Sequence, residues 1–373
     1  MVVATMDELH EAATRITGLD DFGSDDYREG LAVLLDSYER EASLTPHGAR
    51  VAKAFLRGAL VARSLSEAAW RAFPRHTDVT IERPIFVTGL PRTGTTALHR
   101  LLTADPAHQG LEVWLTEFPQ PRPPRDTWEA NPVFQRIQAG YEQYHDEHPE
   151  FMGLHAMSAA QVEECWQLLR QSALSISYEC LAHIPSYSAW LSTQDWKAAY
   201  ERHRRNLQLI GLPDASRRWV LKNPSHLFAL DALLSVYPDA LVVQTHRAPS
   251  TAIASVCSLT ARATEGWSDV FRGEVIGADQ LALWSRGLAT FTAERAKHDQ
   301  SRFYDVDYAD FVADPLGTAE AIYDHFGIPL GDEARSAMRR LHGESTSGSA
   351  APSHTYSLSD FGLTAEQVEA HFA

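Results

Sequence analysis

The stretch Ile85–Leu102, IFVTGLPRTGTTALHRLL, decides how the rest of the chain is read. Ile85–Thr88 is a short apolar run of the kind that forms a buried strand. From Thr95 onward, Ala97, Leu98, Leu101 and Leu102 fall on one helical face. Gly89–Thr96 is then a loop passing from a strand end into a helix N-terminus. Backbone N–H groups gather there at the positive end of the helix dipole, which favours an oxyanion. The spacing of Gly89 and Gly94 fits the phosphate-loop frame GxxxxGK[ST], but Thr95 stands at the lysine position. Arg92 supplies a substitute cation, and Thr95 and Thr96 supply hydroxyl donors. A turn that merely reverses strand into helix needs neither. The combination predicts anion binding by Pro91, Arg92, Thr93, Gly94, Thr95 and Thr96.

Working outward, residues 1 to about 80 read as helical. Apolar residues recur at helical spacing over Tyr27–Ala42, and Pro46 opens a further helix running past Phe55. Arg83-Pro84 punctuates the chain before the strand. The segment from about 111 to 215 is an insertion rich in Trp, Tyr, His and Pro. It begins with FPQPRPPRDTW, whose four prolines favour an extended loop. Helices are expected around 131–147, 158–172 and 195–210. Strands resume at Trp219–Leu221 and Leu241–Thr245, each followed by a helix (His226 to Val236, and from Pro249), with a last strand over Arg302–Val306. A helix over Ala319–Phe326 stops at Gly327. Strands alternating with helices describe a parallel α/β sheet carrying insertions. The expected organisation is a helical region 1–80 packed on the core, an α/β domain 81–330, and a tail or lid 331–373 belonging to that domain. His342–Ser353 reads as a polar surface linker or a mobile lid.

Lys plus Arg total 33 against 49 Asp plus Glu, a net charge of −16. Such a chain is a poor match for a nucleic-acid backbone, which demands concentrated basic surface. No run approaches the roughly 18 to 20 apolar residues that cross a bilayer, and the N-terminus lacks the features of a secretory signal. A cytoplasmic location is therefore expected. Cys165, Cys180 and Cys257 form no CxxC pair and read as reduced thiols. The histidines show no compact ligand pattern, so no metal is expected.

A second phosphate element accompanies the first. VVQTHRAPSTAIASVCSL places Arg247 at the carboxyl end of a strand and Ser255 two turns into the next helix. With GLPRTGTTALHRLL, it resembles the donor site of sulfotransferases that use 3'-phosphoadenosine 5'-phosphosulfate (PAPS). The match is to the bacterial branch, which carries arginine in place of the lysine of the cytosolic enzymes. The aspartate common after the arginine is Ala248 here. The segment RWVLKNPSHLFALDALLSVYPDA, the PEEC-like Gln161–Cys165, PSYSAW and YSLSDFGL extend the resemblance over most of the chain. It implies an α/β, P-loop-like three-layer sandwich with a central, mostly parallel sheet and large helical insertions. The implied activity is in-line transfer of a sulfuryl group from PAPS to a hydroxyl or amine of a small, apolar acceptor, without a metal.

In that reading the loop and Arg92 hold the 5'-phosphosulfate, and Arg247 and Ser255 the 3'-phosphate. Lys222, after a strand, is a candidate for neutralising the leaving group. Glu112 stands where the tyrosylprotein branch has its catalytic glutamate, and a buried carboxylate can serve as base. His226 and His155 are the alternatives, because many cytosolic relatives use histidine. Glu163 and Glu164, adjacent on an expected helix, point in different directions and suggest no metal site. Arg339, Arg340, His342, Gly343, His354 and Tyr356 are loose candidates for closing over the nucleotide. The competing readings are a small-molecule kinase using ATP and magnesium, which Thr95 disfavours, and a noncatalytic nucleotide-binding protein. The acceptor and the state of oligomerisation stay open.

Overall fold

The computed structural model describes residues 3–147, 157–346 and 356–372. The chain opens with helices α1 (Met6–Thr17), α2 (Arg28–Arg40) and α3 (Pro46–Ala72). α1 packs along α3. Helix α3 starts where the sequence placed it: Thr45 accepts a hydrogen bond from the Gly48 N–H, and Pro46 occupies the first turn. Strand β1 (Ile85–Gly89) runs into α4 (Thr95–Thr103), followed by the two-residue strand β2 (His108–Gln109) and α5 (Val113–Glu117).

The insertion contributes α6 (Pro132–Glu147), α7 (Trp166–Arg170), α8 (Pro185–Leu191) and α9 (Lys197–Ile210). Then come β3 (Arg218–Lys222), α10 (Leu230–Val236), β4 (Leu241–His246), α11 (Pro249–Ala263) and α12 (Glu274–Arg295). β5 (Phe303–Asp307), α13 (Tyr308–Ala313), α14 (Pro315–Phe326), α15 (Asp332–Thr346) and α16 (Ala365–Phe372) complete the order.

The strands form one sheet ordered β2-β3-β1-β4-β5, with every pair parallel. β1 is central. Phe86 lies between Leu221 and Val242, and Val87 between Lys222 and Val243. Alternation along β1 assigns the two faces. Ile85 and Val87 pack with Leu98, Leu101 and Leu102 of α4 and with Ile322 and Phe326 of α14. Phe86 belongs to a larger core continuous with Leu34, Leu56, Leu207 and Leu233. The result is a three-layer α/β sandwich. The short β1–α4 and β4–α11 connections both leave the carboxyl edge of the sheet, so adjacent strands bring the two phosphate elements side by side.

The helix expected over 158–172 is confined to α7. Residues before it are extended, because Val162 bridges Glu112 and the Val113 N–H donates to the Gln161 carbonyl. The expected helix His226–Val236 begins as a 3₁₀ turn over Pro224–Phe228 and becomes α-helical at Leu230. The sequence reading named no element where the long α12 runs. Among the described residues, no helix is long and apolar enough to cross a membrane.

Candidate functional site

The loop after β1 is shaped by backbone positions that few side chains tolerate. Gly89 has φ +145°, and a Cβ there would stand 2.6 Å from the Thr245 carbonyl oxygen. Only glycine lets β1 end this close to β4. Arg92 (φ +68°) and Gly94 (φ +88°) are both left-handed, turning the chain tightly into the N-terminus of α4. Thr93 is buried, its hydroxyl donating to the Leu90 carbonyl at 2.6 Å and pairing with Thr245 Oγ1 at 2.5 Å. Its side chain therefore ties the loop to β4. Pro91, Thr95 and Thr96 are half-buried around the same turn.

Two elements identified separately in the sequence meet here. Arg92 Nε donates to Ser255 Oγ at 3.1 Å, and Arg247 Nη1 donates to the Arg92 carbonyl at 2.9 Å. The Arg247 guanidinium lies 4.2 Å from the centre of the Tyr308 ring, at the start of α13. Two arginines, a serine hydroxyl and the amides of a helix N-terminus thus share one edge of the sheet. That donor set suits a ligand with two separated phosphoryl groups.

Lys222 ends β3, one strand away from the loop, and is fully buried. Its ammonium donates to Thr96 Oγ1 at 3.1 Å, Glu163 Oε1 at 3.4 Å and Glu164 Oε1 at 2.5 Å. Burial alone works against the charged lysine, but the two carboxylates outweigh it and hold its pKa above the ordinary value. Glu163 also lies 4.0 Å from Arg100 of α4. Burial, with the adjacent Glu163 charge, raises Glu164 to about 7. Both carboxylates reach one cation because Gln161–Cys165 is extended rather than helical, contrary to the sequence expectation.

A model of the sulfotransferase family matches residues 84–332. The chain belongs to the sulfotransferase family.

Among solved sulfotransferases, STF1 from Mycobacterium tuberculosis H37Rv superimposes with a TM-score of 0.93 at 62% identity, covering 100% of this chain and 99% of that one. STF9 from Mycobacterium avium superimposes with a TM-score of 0.89 at 27% identity, covering 99% and 95%. Omega-hydroxy-beta-dihydromenaquinone-9 sulfotransferase Stf3 of Mycobacterium bovis is 26% identical over 260 residues, 67% of this chain. The match spans 64% of the length of that relative, and the Mycobacterium tuberculosis Stf3 gives the same figures.

In this sulfotransferase two of the expected bases are engaged elsewhere. Glu112 accepts from Arg122 Nε at 3.1 Å. Arg122 also donates to Gln109, Asp214 and the Gly110 carbonyl, bolting the β2–α5 connection to the Asp214 turn. Burial raises the Glu112 pKa, and Arg122 opposes it. His226 is turned inward by the 3₁₀ segment, with Nδ1 2.8 Å from the Tyr200 hydroxyl and its ring 5.0 Å from Phe86. Phe86 faces the layer opposite α4, so His226 is a core residue. Burial, then the neighbouring His203, pushes its pKa well below the ordinary value.

His155 and His354 lie outside the described residues. Arg339 and Arg340 are exposed on α15, which also carries His342 and Gly343. Tyr356 precedes the 3₁₀ turn Leu358–Phe361, whose Phe361 is buried against α12. Glu163 and Glu164, which reach Lys222 beside the loop, were passed over by the sequence reading. Their signal was two adjacent acids beside the core cysteine Cys165, where solvated charges are out of place.

The insertion tryptophans are mostly core. Trp114 is fully buried and packs edge-on against Trp128, with ring centroids 5.4 Å apart. Trp196 is buried as well.

Proposed function

We propose that this enzyme transfers the sulfuryl group of PAPS to a hydroxyl of a small, largely apolar acceptor. The observation that carries this reading is the convergence of Arg92, Ser255 and Arg247 beside the loop leading into α4. The loop amides, Arg92, Thr95 and Thr96 hold the 5'-phosphosulfate, and Arg247 and Ser255 hold the 3'-phosphate. Lys222 keeps its proton and, hydrogen-bonded to Thr96, sets a positive charge beside the transferring group. Glu164 accepts the acceptor's proton as the acceptor oxygen bonds to sulfur. The bond between sulfur and the bridging phosphate oxygen breaks, leaving its electron pair on the departing 5'-phosphate. Glu164 suits this work because its raised pKa places proton uptake near neutral pH. In this reading the cations already present, Arg92, Arg247 and Lys222, balance the charge of the donor.

An apolar acceptor accords with the menaquinone derivative in the name of the curated relatives. The test is incubation of the purified protein with labelled PAPS and a panel of phenols and long-chain alcohols. The expected products are a labelled sulfate ester and an equal amount of 3'-phosphoadenosine 5'-phosphate (PAP), unchanged by EDTA. Phosphorylated acceptor formed from ATP and magnesium, with no sulfate ester from PAPS, contradicts the reading.

A further inference from the structure

Next to the Lys222–Glu164 pair lies a second cation that the transfer step does not use. Helix α7 starts directly after Glu163-Glu164-Cys165 and packs against α3, α5 and α9. It ends on Arg170, which is only 8% exposed. Three rings box its guanidinium, with centroids at 4.7 Å (Phe55), 5.6 Å (Tyr178) and 5.9 Å (Trp166). Nε donates to Ser177 Oγ at 2.7 Å and Nη1 to Gln167 Oε1 at 3.3 Å.

Among the described residues Nη2 has no hydrogen-bond partner, and the guanidinium forms no ion pair. Nη2 nevertheless keeps contact with solvent. Glu117 and Glu164 both feel the charge of Arg170, although neither accepts a hydrogen bond from it, and Glu164 accepts one from Lys222. A guanidinium held in an aromatic box with one nitrogen lacking an acceptor carries an unmet donor. Its open nitrogen and flat aromatic walls fit a ligand that combines an anionic oxygen with an apolar body.

We propose that Arg170 is the acceptor-recognition residue, and that it selects hydroxy acids. Nη2 binds the carboxylate of the acceptor, its apolar body lies against Phe55 and Trp166, and its hydroxyl is directed to Glu164. This assignment rests on the sulfotransferase reading and deepens it by naming the acceptor class.

The test compares two phenols of like skeleton, 4-hydroxyphenylacetate and 4-ethylphenol. Each is titrated calorimetrically into the purified full chain, with and without saturating PAP. The acid is expected to bind about tenfold or more tightly than 4-ethylphenol, as a charge-assisted hydrogen bond contributes. Arg170→Met, which keeps an apolar stem, is expected to abolish that preference while holding PAP and 4-ethylphenol affinities within about twofold. Arg170→Lys keeps the charge without the planar fork and should retain part of the preference. It also decides the matter if the methionine variant fails to fold. Equal affinity for the two phenols in the wild type, or a preference that survives Arg170→Met, overturns the proposal. So does a selective loss of PAP affinity in that variant, which would assign Arg170 to the donor. A wild type that binds no PAP defeats the donor reading instead, and the comparison without PAP still decides for Arg170.

Discussion

Glu163 and Glu164 touch the same ammonium, yet their surroundings differ. Glu163 has Arg100 as a second cation at 4.0 Å, whereas the hydrogen-bonded partner of Glu164 is Lys222, and burial dominates its titration. Glu164 must be deprotonated to take up a proton. The rate of transfer should therefore fall as pH drops through about 7, with no matching loss of PAP affinity. Lys222, held above its ordinary value, sets no alkaline limit near neutrality. Glu164→Gln should lower kcat by about a hundredfold or more and remove the acid limb of the pH–rate profile. An unchanged profile in that variant would return the role to another group.

Arg92, Thr96, Arg247 and Ser255 were legible from sequence because strand–loop–helix order alone fixes where such residues stand. Glu164 was not, since its position depends on a pairing between Gln161–Glu163 and Leu111–Val113 that local periodicity cannot reveal. His226 misled for the opposite reason. It follows a strand end as a site residue should, but the Pro224–Phe228 turn rotates it into the core.

Among the elements, the connection from β1 to α4 bears the tightest constraint. Gly94 holds φ +88°, and a Cβ there would lie 3.2 Å from Tyr308 and 3.3 Å from Phe311. Gly94→Ala is therefore expected to cost about 1–2 kcal/mol of stability, measured by chemical denaturation, and to weaken PAP binding. A variant with wild-type stability and PAP affinity would show that the loop does not need the left-handed turn. The glycine spacing announced this element correctly. The stretch 158–165 went the other way, because backbone bonds to the α5 entrance outweigh its helical periodicity. Tertiary pairing commonly overrides such weak local preferences.

At the scale of the molecule, a parallel sheet gathers residues distant in sequence onto one carboxyl edge. Arg92 and Arg247 are 155 positions apart and still share a hydrogen bond. The net charge of −16 gives no hint of this. Arg92 and Arg247 nevertheless meet where the two central connections leave the sheet. Alternating strands and helices made the α/β class legible, while the strand order and the two-residue β2 needed long-range pairing. The central claim is that one edge of the sheet holds two phosphoryl groups at once, one in the loop after β1 and one at Arg247. Calorimetry on the wild type and Arg247→Ala, titrated with PAP and with ATP plus magnesium, tests it most directly. The account predicts magnesium-independent PAP binding, tighter than ATP binding and weakened about tenfold or more by Arg247→Ala. Tighter binding of ATP with magnesium, indifferent to Arg247, would contradict it.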